Sequence, residues 1–502
     1  MRTSTAWSGL ATGTRWPLTL LLTVQSVLTL RLIWSNTAFS DEALYLWAGR
    51  VELAHLLHGS QVPEFASYFS GSPVLYPPLG ALAASIGGLA GARLLSLVTM
   101  LATTAMLYDV SRRLFDRRSA FFAAALFAGL AGTQFLGALA TYDSMALGLI
   151  ALAAWLAVVA ADACGPRAAA LLTAAGAVLA LADATKYAAL LFDPVVVGVA
   201  VLAAWRARGR DAALRTAVIA TGTLAVLFGC VLLAGGRPLA RGLTATTLDR
   251  PAGDYSATFL LMASARWLWL VAPLAAIGVA AAATARRGPA FAFLAAVLAL
   301  AVGLPPAEQA RIHTYTSLFK HDDYGAWFGC AIAGYALAAL SRAVPPDKAL
   351  AAFRAGVVVV ALAALPGILV AGQQYRWPNT AQLIATAQRA IAAHKGPILA
   401  DDDGDLLHFY LGSEVSGEPV AGTWYISYRG PGDRAPRHGL TGYADAIRHR
   451  YFAVVMLEFS DNLATDRQIE RDLATSRAYR LAAELPFSAS GGPRESMIWV
   501  RT

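Results

Sequence analysis

Three carboxylates and three cations in this chain have the types and the settings to do chemistry. Asp41 and Glu42 stand side by side in "SDEALYLWAGR", and Asp143 sits in "TYDSMALGLIAL". Lys186 lies in "ATKYAALLFDP", Lys320 in "SLFKHDDYGAW" and Arg241 in "GGRPLARGLTATTL", whose loop also carries Arg237 and Arg250. A carboxylate can take a proton from an attacking hydroxyl or orient it. A lysine or arginine can hold a phosphate and stabilise the charge on a departing one. Tyr45, Tyr76, Tyr187, His313 and His321 fall close to these groups along the chain and are candidates to line a substrate. Each residue also has a purely structural reading. Ser40 is a good N-cap, and acids in the next positions suit the helix dipole. Asp143 can cap the helix that follows it, Lys186 can snorkel to a membrane interface, and the histidines can be ordinary loop residues. Asp183 and Asp193 read as partners of cations within a bundle. Asp401, Asp402, Asp403 and Asp405 resemble part of a calcium loop, but position twelve is Gly412 where a Glu is required, so they read as a solvated turn after a strand.

The elements that position these groups follow from composition. Of 502 residues, 57% are hydrophobic and only 14% charged, too little charge to cover a soluble protein of this length. Apolar runs recur from Leu18 to Val370, many long enough to cross a bilayer as helices of roughly 20 residues. The fold class expected is therefore an α-helical polytopic membrane protein. The first run lacks a small-residue cleavage site before Asp41 and reads as a retained anchor. Cys164, Cys230 and Cys330 lie in or beside apolar runs and suggest neither a disulfide framework nor a zinc site. A net charge of +8 would point a soluble chain towards nucleic acid; here its placement is the better clue, and no nucleic-acid partner is expected.

Basic clusters punctuate the runs: Arg15; Arg112, Arg113, Arg117 and Arg118; Arg167; Arg206 to Arg215; Arg286 and Arg287; Arg342 to Arg354. Placing all of them in the cytoplasm gives one topology, with the N-terminus inside. Its spans are roughly 18–34, 93–113, 119–138, 143–161, 168–184, 187–205, 213–234, 266–284, 289–303, 324–341 and 350–371. About eleven crossings leave the C-terminus outside. Segments 35–92, 235–265, 304–323 and the tail after 372 then share the outer face with the candidate residues. "SPVLYPPLGALAASIGGLAG" reads as a second helix near the interface. The tail changes character. "GPILADDDGD", "YFAVVMLEFS", "YRLAAELPF" and "ESMIWVRT" read as strands with helical stretches such as 466–478 between them. Two domains are expected: 1–371 in the membrane, with a first outer loop at 35–92, and a soluble α/β domain at 372–502.

Four pieces in order carry a family resemblance: "DEALY" after the first span, "YPPLG" before the second, "TYDSMAL" at the fourth and "TKYAAL" at the sixth. With their membrane side, they resemble the GT-C class of membrane glycosyltransferases, and within it bacterial members of the protein O-mannosyltransferase and lipid A aminoarabinose transferase group (glycosyltransferase family 39-like). The resemblance covers the chain best up to about residue 210. It implies a GT-C fold in the bacterial cytoplasmic membrane and transfer of a sugar from a polyprenyl-phosphate donor to an acceptor hydroxyl on a lipid, polysaccharide or protein. It makes Asp41 the base or acceptor-orienting carboxylate, Glu42 its support and Asp143 the second acid. Lys186, Lys320 and Arg241 become candidates for the donor phosphate. Relatives often carry an acid and a lysine between the tyrosine and prolines of "YPPLG", whereas Tyr76 here leads directly into Pro77 and Pro78. Some relatives use a divalent metal, which stays open, although no compact ligand cluster in the sequence demands one. The alternative from another class is a multi-span transporter or flippase, for which repeat-related halves and a midplane site are expected.

Overall fold

Long runs of Ala, Leu and Val satisfy their own backbone hydrogen bonds only as helices when water is scarce. The computed structural model of the chain describes residues 16–345, 347–401, 404–415, 417–459, 462–489 and 492–502. Arg15, Asp402 and Asp403 lie outside the described residues. The helices up to residue 374 are α1 (Trp16–Ile33), α2 (Ser40–His58), α3 (Tyr76–Leu114), α4 (Arg117–Gly129), α5 (Ala131–Ala138), α6 (Tyr142–Asp162), α7 (Gly165–Thr185), α8 (Asp193–Arg208), α9 (Arg210–Thr246), α10 (Ala257–Trp267), α11 (Val271–Thr284), α12 (Pro289–Leu300), α13 (Leu304–Arg311), α14 (Leu318–Arg342) and α15 (Ala349–Gln374). Among the described residues, nine helical stretches are long and apolar enough to cross a membrane. Two bent pairs, α4 with α5 at 63° and α10 with α11 at 77°, raise the number to eleven if each is one span. The chain is thus a helical membrane protein, and the eleven apolar runs of the sequence each find a helix or a bent pair.

Two glycines set breaks inside long helices. In α3, Gly88 has φ 60°, a left-handed conformation that costs glycine nothing, so the piece from Tyr76 is a separate helix leading into the span. In α9, Gly236 (φ 60°) and Pro238 mark a break after which the helix resumes and runs to Thr246. Hydropathy alone ended that span at 234 and placed a loop after it. The residues after the break are helical because a proline in a first turn forfeits no hydrogen bond.

The contacts divide the chain into two compact units: residues up to Ile33 with Glu52–Gln374, and Trp34–Val51 with Tyr375–Thr502. Residues 34–51, at the front of the expected outer loop, therefore cluster with the tail. Within the first unit, basic residues at several helix ends meet. Arg113 pairs with Asp162 at 2.7 Å and Arg342 with Asp116 at 2.6 Å. Arg206 donates to the Leu114 carbonyl at 2.7 Å. The C-terminal ends of α3, α6, α8 and α14 thus lie with the start of α4 at one end of this bundle. Alternate helices must then return at the other end, where Asp143 and Lys320 lie. α14 is the most enclosed span, with 89% of its apolar window buried.

The second unit is built on a five-stranded sheet. Its strands are β1 (Ile398–Ala400), β2 (Val420–Ala421), β5 (Val454–Leu457), β6 (Tyr479–Ala489) and β7 (Gly492–Arg501), in the order β2-β1-β5-β7-β6. β2, β1 and β5 are parallel, while β7 runs antiparallel to both β5 and β6. A small ribbon, β3 (Ser427–Tyr428) with β4 (Arg437–His438), stands apart. Among the helices, α16 (Ala381–Ala393), α17 (Gly404–Tyr410), α18 (Gly412–Val415), α19 (Gly439–Arg448) and α20 (Leu463–Thr475), the apolar faces of α19 and α20 reach a core that includes Leu399, Val455, Trp499, Ile447 and Ile469. This small α/β region matches the expected class. One expectation fails: Asp401 is buried at the end of β1 instead of lying in a solvated turn. Its carboxylate accepts from Thr423 Oγ1 at 2.7 Å and from the Glu458 N–H at 3.4 Å, linking the loops after β2 and β5.

Residues 34–51 are tied into this unit by specific bonds. Asn36 donates to the carbonyls of Tyr375 (3.2 Å) and Trp377 (2.8 Å), and Trp377 Nε1 donates to the Thr37 carbonyl at 3.1 Å. Ala38 N–H donates to the Tyr410 hydroxyl at 2.8 Å, Arg50 donates to the Phe409 carbonyl at 2.7 Å, and Trp47 stacks on His408 with ring centres 4.1 Å apart.

Candidate active site

The first unit holds a buried charge cluster at the start of α6. Asp143 follows Thr141, whose extended backbone opens the helix, and its side chain turns inward to complete burial. The Asp143 carboxylate accepts from Lys186 Nζ through one oxygen and from Thr141 Oγ1 at 2.9 Å through the other. Lys320 Nζ stands 3.8 Å from that second oxygen. Tyr324, one helical turn beyond Lys320 on α14, donates to the Asp143 carbonyl at 3.0 Å. Both ammonium groups are buried, and both approach the Asp143 carboxylate.

Lys186 owes its position to a chain break. It is extended (φ −152°, ψ 120°) between the end of α7 and the 3-10 stretch Tyr187–Phe192. The loop before α3 clamps this junction: Ser72 N–H donates to the Ala184 carbonyl at 2.7 Å, and Tyr187 N–H to the Ser70 carbonyl at 2.9 Å. Gly71 makes the approach possible, since a Cβ there would sit 2.0 Å from the Thr185 carbonyl oxygen. Lys186 Nζ also lies 5.0 Å from the Tyr142 ring centre, a cation–π distance, and Ser70 Oγ fixes the Tyr142 hydroxyl at 2.5 Å.

A cavity of about 580 Å³ opens beside the cluster. Its polar lining includes Lys186, Arg250, Arg311, Glu308 and His321; Leu190, Leu191, Leu243, Leu248 and Ile312 make its apolar walls. Arg311 is paired with Glu308 at 2.7 Å. Arg250, in the loop after α9, forms no ion pair among the described residues. Burial draws its pKa below the ordinary value, yet a guanidinium stays charged. His321 Nδ1 meets the Gln309 amide nitrogen at 3.0 Å. Its Nε2 is buried and has no hydrogen-bond partner among the described residues.

The candidates drawn from sequence separate into groups. Asp143, Lys186, Lys320 and His321 come together, and Tyr187 lines the same cavity. Arg241 is exposed on α9 and does not line it; Arg250 from the same stretch does. His313 is held to the loop before α10, its Nδ1 2.8 Å from the Tyr255 carbonyl and its φ at 53°. Tyr76 is buried at the first turn of α3. Asp183 and Asp193, read as partners of cations, form no ion pair among the described residues, and neither Asp183 oxygen finds a hydrogen-bond partner there. Asp41, Glu42 and Tyr45 belong to the second unit. There Glu42 is buried and its Oε2 accepts from the Phe39 N–H at 2.9 Å, the reciprocal half of a capping box, with Asp41 beside it in the first turn. Sequence reasoning missed Tyr324, Gln309 and Thr141. Only Tyr324 had a signal, its spacing of four from Lys320 on one helix. No group of three or more His, Cys, Asp or Glu residues suited to a metal ion occurs among the described residues.

Comparison with known proteins defines the class. The chain has the GT-C fold, shared with ArnT from Cupriavidus metallidurans in the apo state (TM-score 0.62, 15% identity, 98% of each chain covered). It is also similar to the oligosaccharyltransferase AglB from Archaeoglobus fulgidus in complex with an inhibitory peptide and a dolichol-phosphate (TM-score 0.60, 13% identity, 98% of this chain and 74% of that one). The ArnT structure bound to undecaprenyl phosphate aligns at a TM-score of 0.56, with 14% identity and 98% of each chain covered. Residues 72–234 match the dolichyl-phosphate-mannose-protein mannosyltransferase family, a segment that carries Asp143 and Lys186. No curated protein sequence matches the chain.

Proposed function

We propose that the chain is a glycosyltransferase that moves a sugar from a polyprenyl-phosphate donor to an acceptor hydroxyl with inversion. The observation that carries this reading is the cavity beside Asp143, lined by Lys186, Arg250 and His321 and walled by leucines, which suits a phosphate on a hydrocarbon chain. The GT-C fold supports it, as do relatives solved with undecaprenyl phosphate and dolichol-phosphate. In this reading Lys186, Arg250 and the Nε2 edge of His321 hold the donor phosphate, with Lys320 adding charge behind them. Asp143 is saturated by two ammonium groups and a hydroxyl, which suits it to fixing the lysines and not to removing a proton. Asp41 is assigned the base. It takes the acceptor proton as the acceptor oxygen bonds to the anomeric carbon and the bond from that carbon to the phosphate oxygen breaks. The polyprenyl phosphate leaves with the electron pair, its charge met by the cations. Glu42 holds the turn that presents Asp41. The membrane is assigned as the bacterial cytoplasmic one, with the N-terminus inside and the tail outside; the acceptor is a lipid, polysaccharide or protein hydroxyl. The phosphate's counter-charge comes from the protein in this assignment, so EDTA is expected to leave transfer intact; loss of transfer restored by Mg²⁺ or Mn²⁺ would add a metal.

The test is transfer by the purified protein with a panel of polyprenyl-phosphate sugars, comparing wild type with Asp41→Asn. Loss of a general base should lower kcat by roughly 10²–10⁴ with unfolding temperature unchanged. Equal transfer by both proteins removes Asp41 as base, and no transfer by wild type with any donor favours a transporter.

A further inference from the structure

A second polar site lies elsewhere in the first unit, one turn into α14. Asp322 and Asp323 are each 2% exposed. They line a small cavity of about 20 Å³ with Leu130, Ala131, Gly132, Trp267, Leu268 and Phe319, space for roughly one water-sized body. Both bends of the bundle meet here: Leu130 separates α4 from α5, and Leu268 follows α10 before α11. Helix breaks free backbone groups at membrane depth only where something else satisfies them.

The two carboxyls differ in support. Asp323 accepts from Thr133 Oγ1 at 3.1 and 3.2 Å. It also rests against the first turn of α5, whose N–H groups have no carbonyl partners within the helix. A Cβ on Gly132 would come within 2.8 Å of Asp323 Oδ1, so that glycine lets the carboxylate reach the helix end. Asp322 has no such support: neither oxygen finds a hydrogen-bond partner among the described residues. Close to the Asp322 carboxyl, just outside the residues that line this cavity, lies Ser264 of α10, itself 2% exposed, whose hydroxyl also lacks a bonded partner among the described residues.

We propose that this cavity binds a dehydrated monovalent cation of sodium size, with Asp322 supplying the charge and Asp323 and Ser264 further oxygens. An oxygen-only donor set selects a hard cation. Charge selects a monovalent one: the α5 terminus and Thr133 meet the charge of Asp323, leaving one carboxylate to neutralise. Such an ion ties both bends to α14, where Lys320 and His321 immediately precede Asp322 in the same turn, and so holds the candidate active site in register.

The experiment uses the full chain in lipid nanodiscs, with choline chloride replaced stepwise by sodium chloride at constant ionic strength. Sodium is expected to raise the unfolding temperature saturably, on the order of 3–6 °C, and radioactive sodium to bind the wild-type protein. Asp322→Asn should lose both the rise and the binding while its unfolding temperature in choline matches or exceeds that of wild type. Ser264→Ala, the milder change, should keep the rise but need roughly 3–10-fold more sodium, the effect of one lost oxygen ligand. An unfolding temperature indifferent to sodium overturns the proposal, because a neutral Asp322 gives that result. So does a sodium response retained in Asp322→Asn.

Discussion

Replacing Lys186 with methionine keeps the length of the side chain and removes its charge. Asp143 would then stay fully buried with Thr141 Oγ1 at 2.9 Å and Lys320 at 3.8 Å as its remaining support. Removing one partner of a buried ion pair typically costs about 3–5 kcal/mol, because the other charge is left uncompensated. Lys320 offsets part of that loss: at about 4 Å and an effective dielectric of about 20, its attraction amounts to about 4 kcal/mol before desolvation. We expect Lys186→Met to cost about 2–4 kcal/mol, and Asp143→Asn a similar amount by removing the carboxylate that both lysines approach. The double variant removes both causes and should cost less than the sum by at least about 2 kcal/mol. Unfolding of the four purified proteins, followed by tryptophan fluorescence, measures the cycle, and a donor-transfer assay runs beside it. All three variants should lose transfer, the double variant despite its recovered stability. Additivity within about 0.5 kcal/mol would refute the ion pair as the organiser of this site. Wild-type transfer by the double variant would remove Lys186 from the donor phosphate.

Three other outcomes follow from the geometry. Gly71→Ala would place a methyl 2.0 Å from the Thr185 carbonyl oxygen. The loop must move off Lys186, so we expect a loss of about 1–3 kcal/mol in stability and a raised donor KM, read by thermal unfolding and steady-state kinetics. Arg250→Gln should raise donor KM by roughly 10- to 100-fold, the worth of one charge-assisted hydrogen bond, and flatten the salt dependence of KM while stability stays put. Asp401→Ala cuts the Thr423 and Glu458 bonds inside the second unit; a fall of about 1–3 kcal/mol is expected, and an unchanged unfolding temperature would show that the loops after β2 and β5 do not depend on that carboxylate.

Much of the bundle is legible in the sequence. Apolar length is a local property, so each run found its helix, and even the break at Gly88 fell within a stretch read as a separate interface helix. The tail's strands were legible for the same reason, since alternation and β-branched content report on a few residues at a time. Local reading failed where a residue's neighbours come from far away. Asp401 looked like a turn acid because its partner Thr423 is 22 residues off. Arg241 looked as good as Arg250 until helix continuation past Pro238 left the first exposed and carried the second to the cavity.

The amino-acid order alone determined that this chain is a bundle of apolar helices with a small α/β tail, and which charged residues interrupt the apolar pattern. Hydropathy and helix periodicity operate over one or two dozen residues, so they are written in the sequence directly. The tertiary structure decided which of those charges meet. Asp143 and Lys186 are 43 residues apart, and Asp143 and Tyr324 are 181 apart, joined only because α6, α7 and α14 pack side by side. It also decided what the acids of "SDEALY" are attached to: residues 34–51 cluster with the tail through Asn36, Trp47 and Arg50. Pairing of that kind is set by the closure of long loops and the fit of whole helices, a property of the assembled chain that no local window contains.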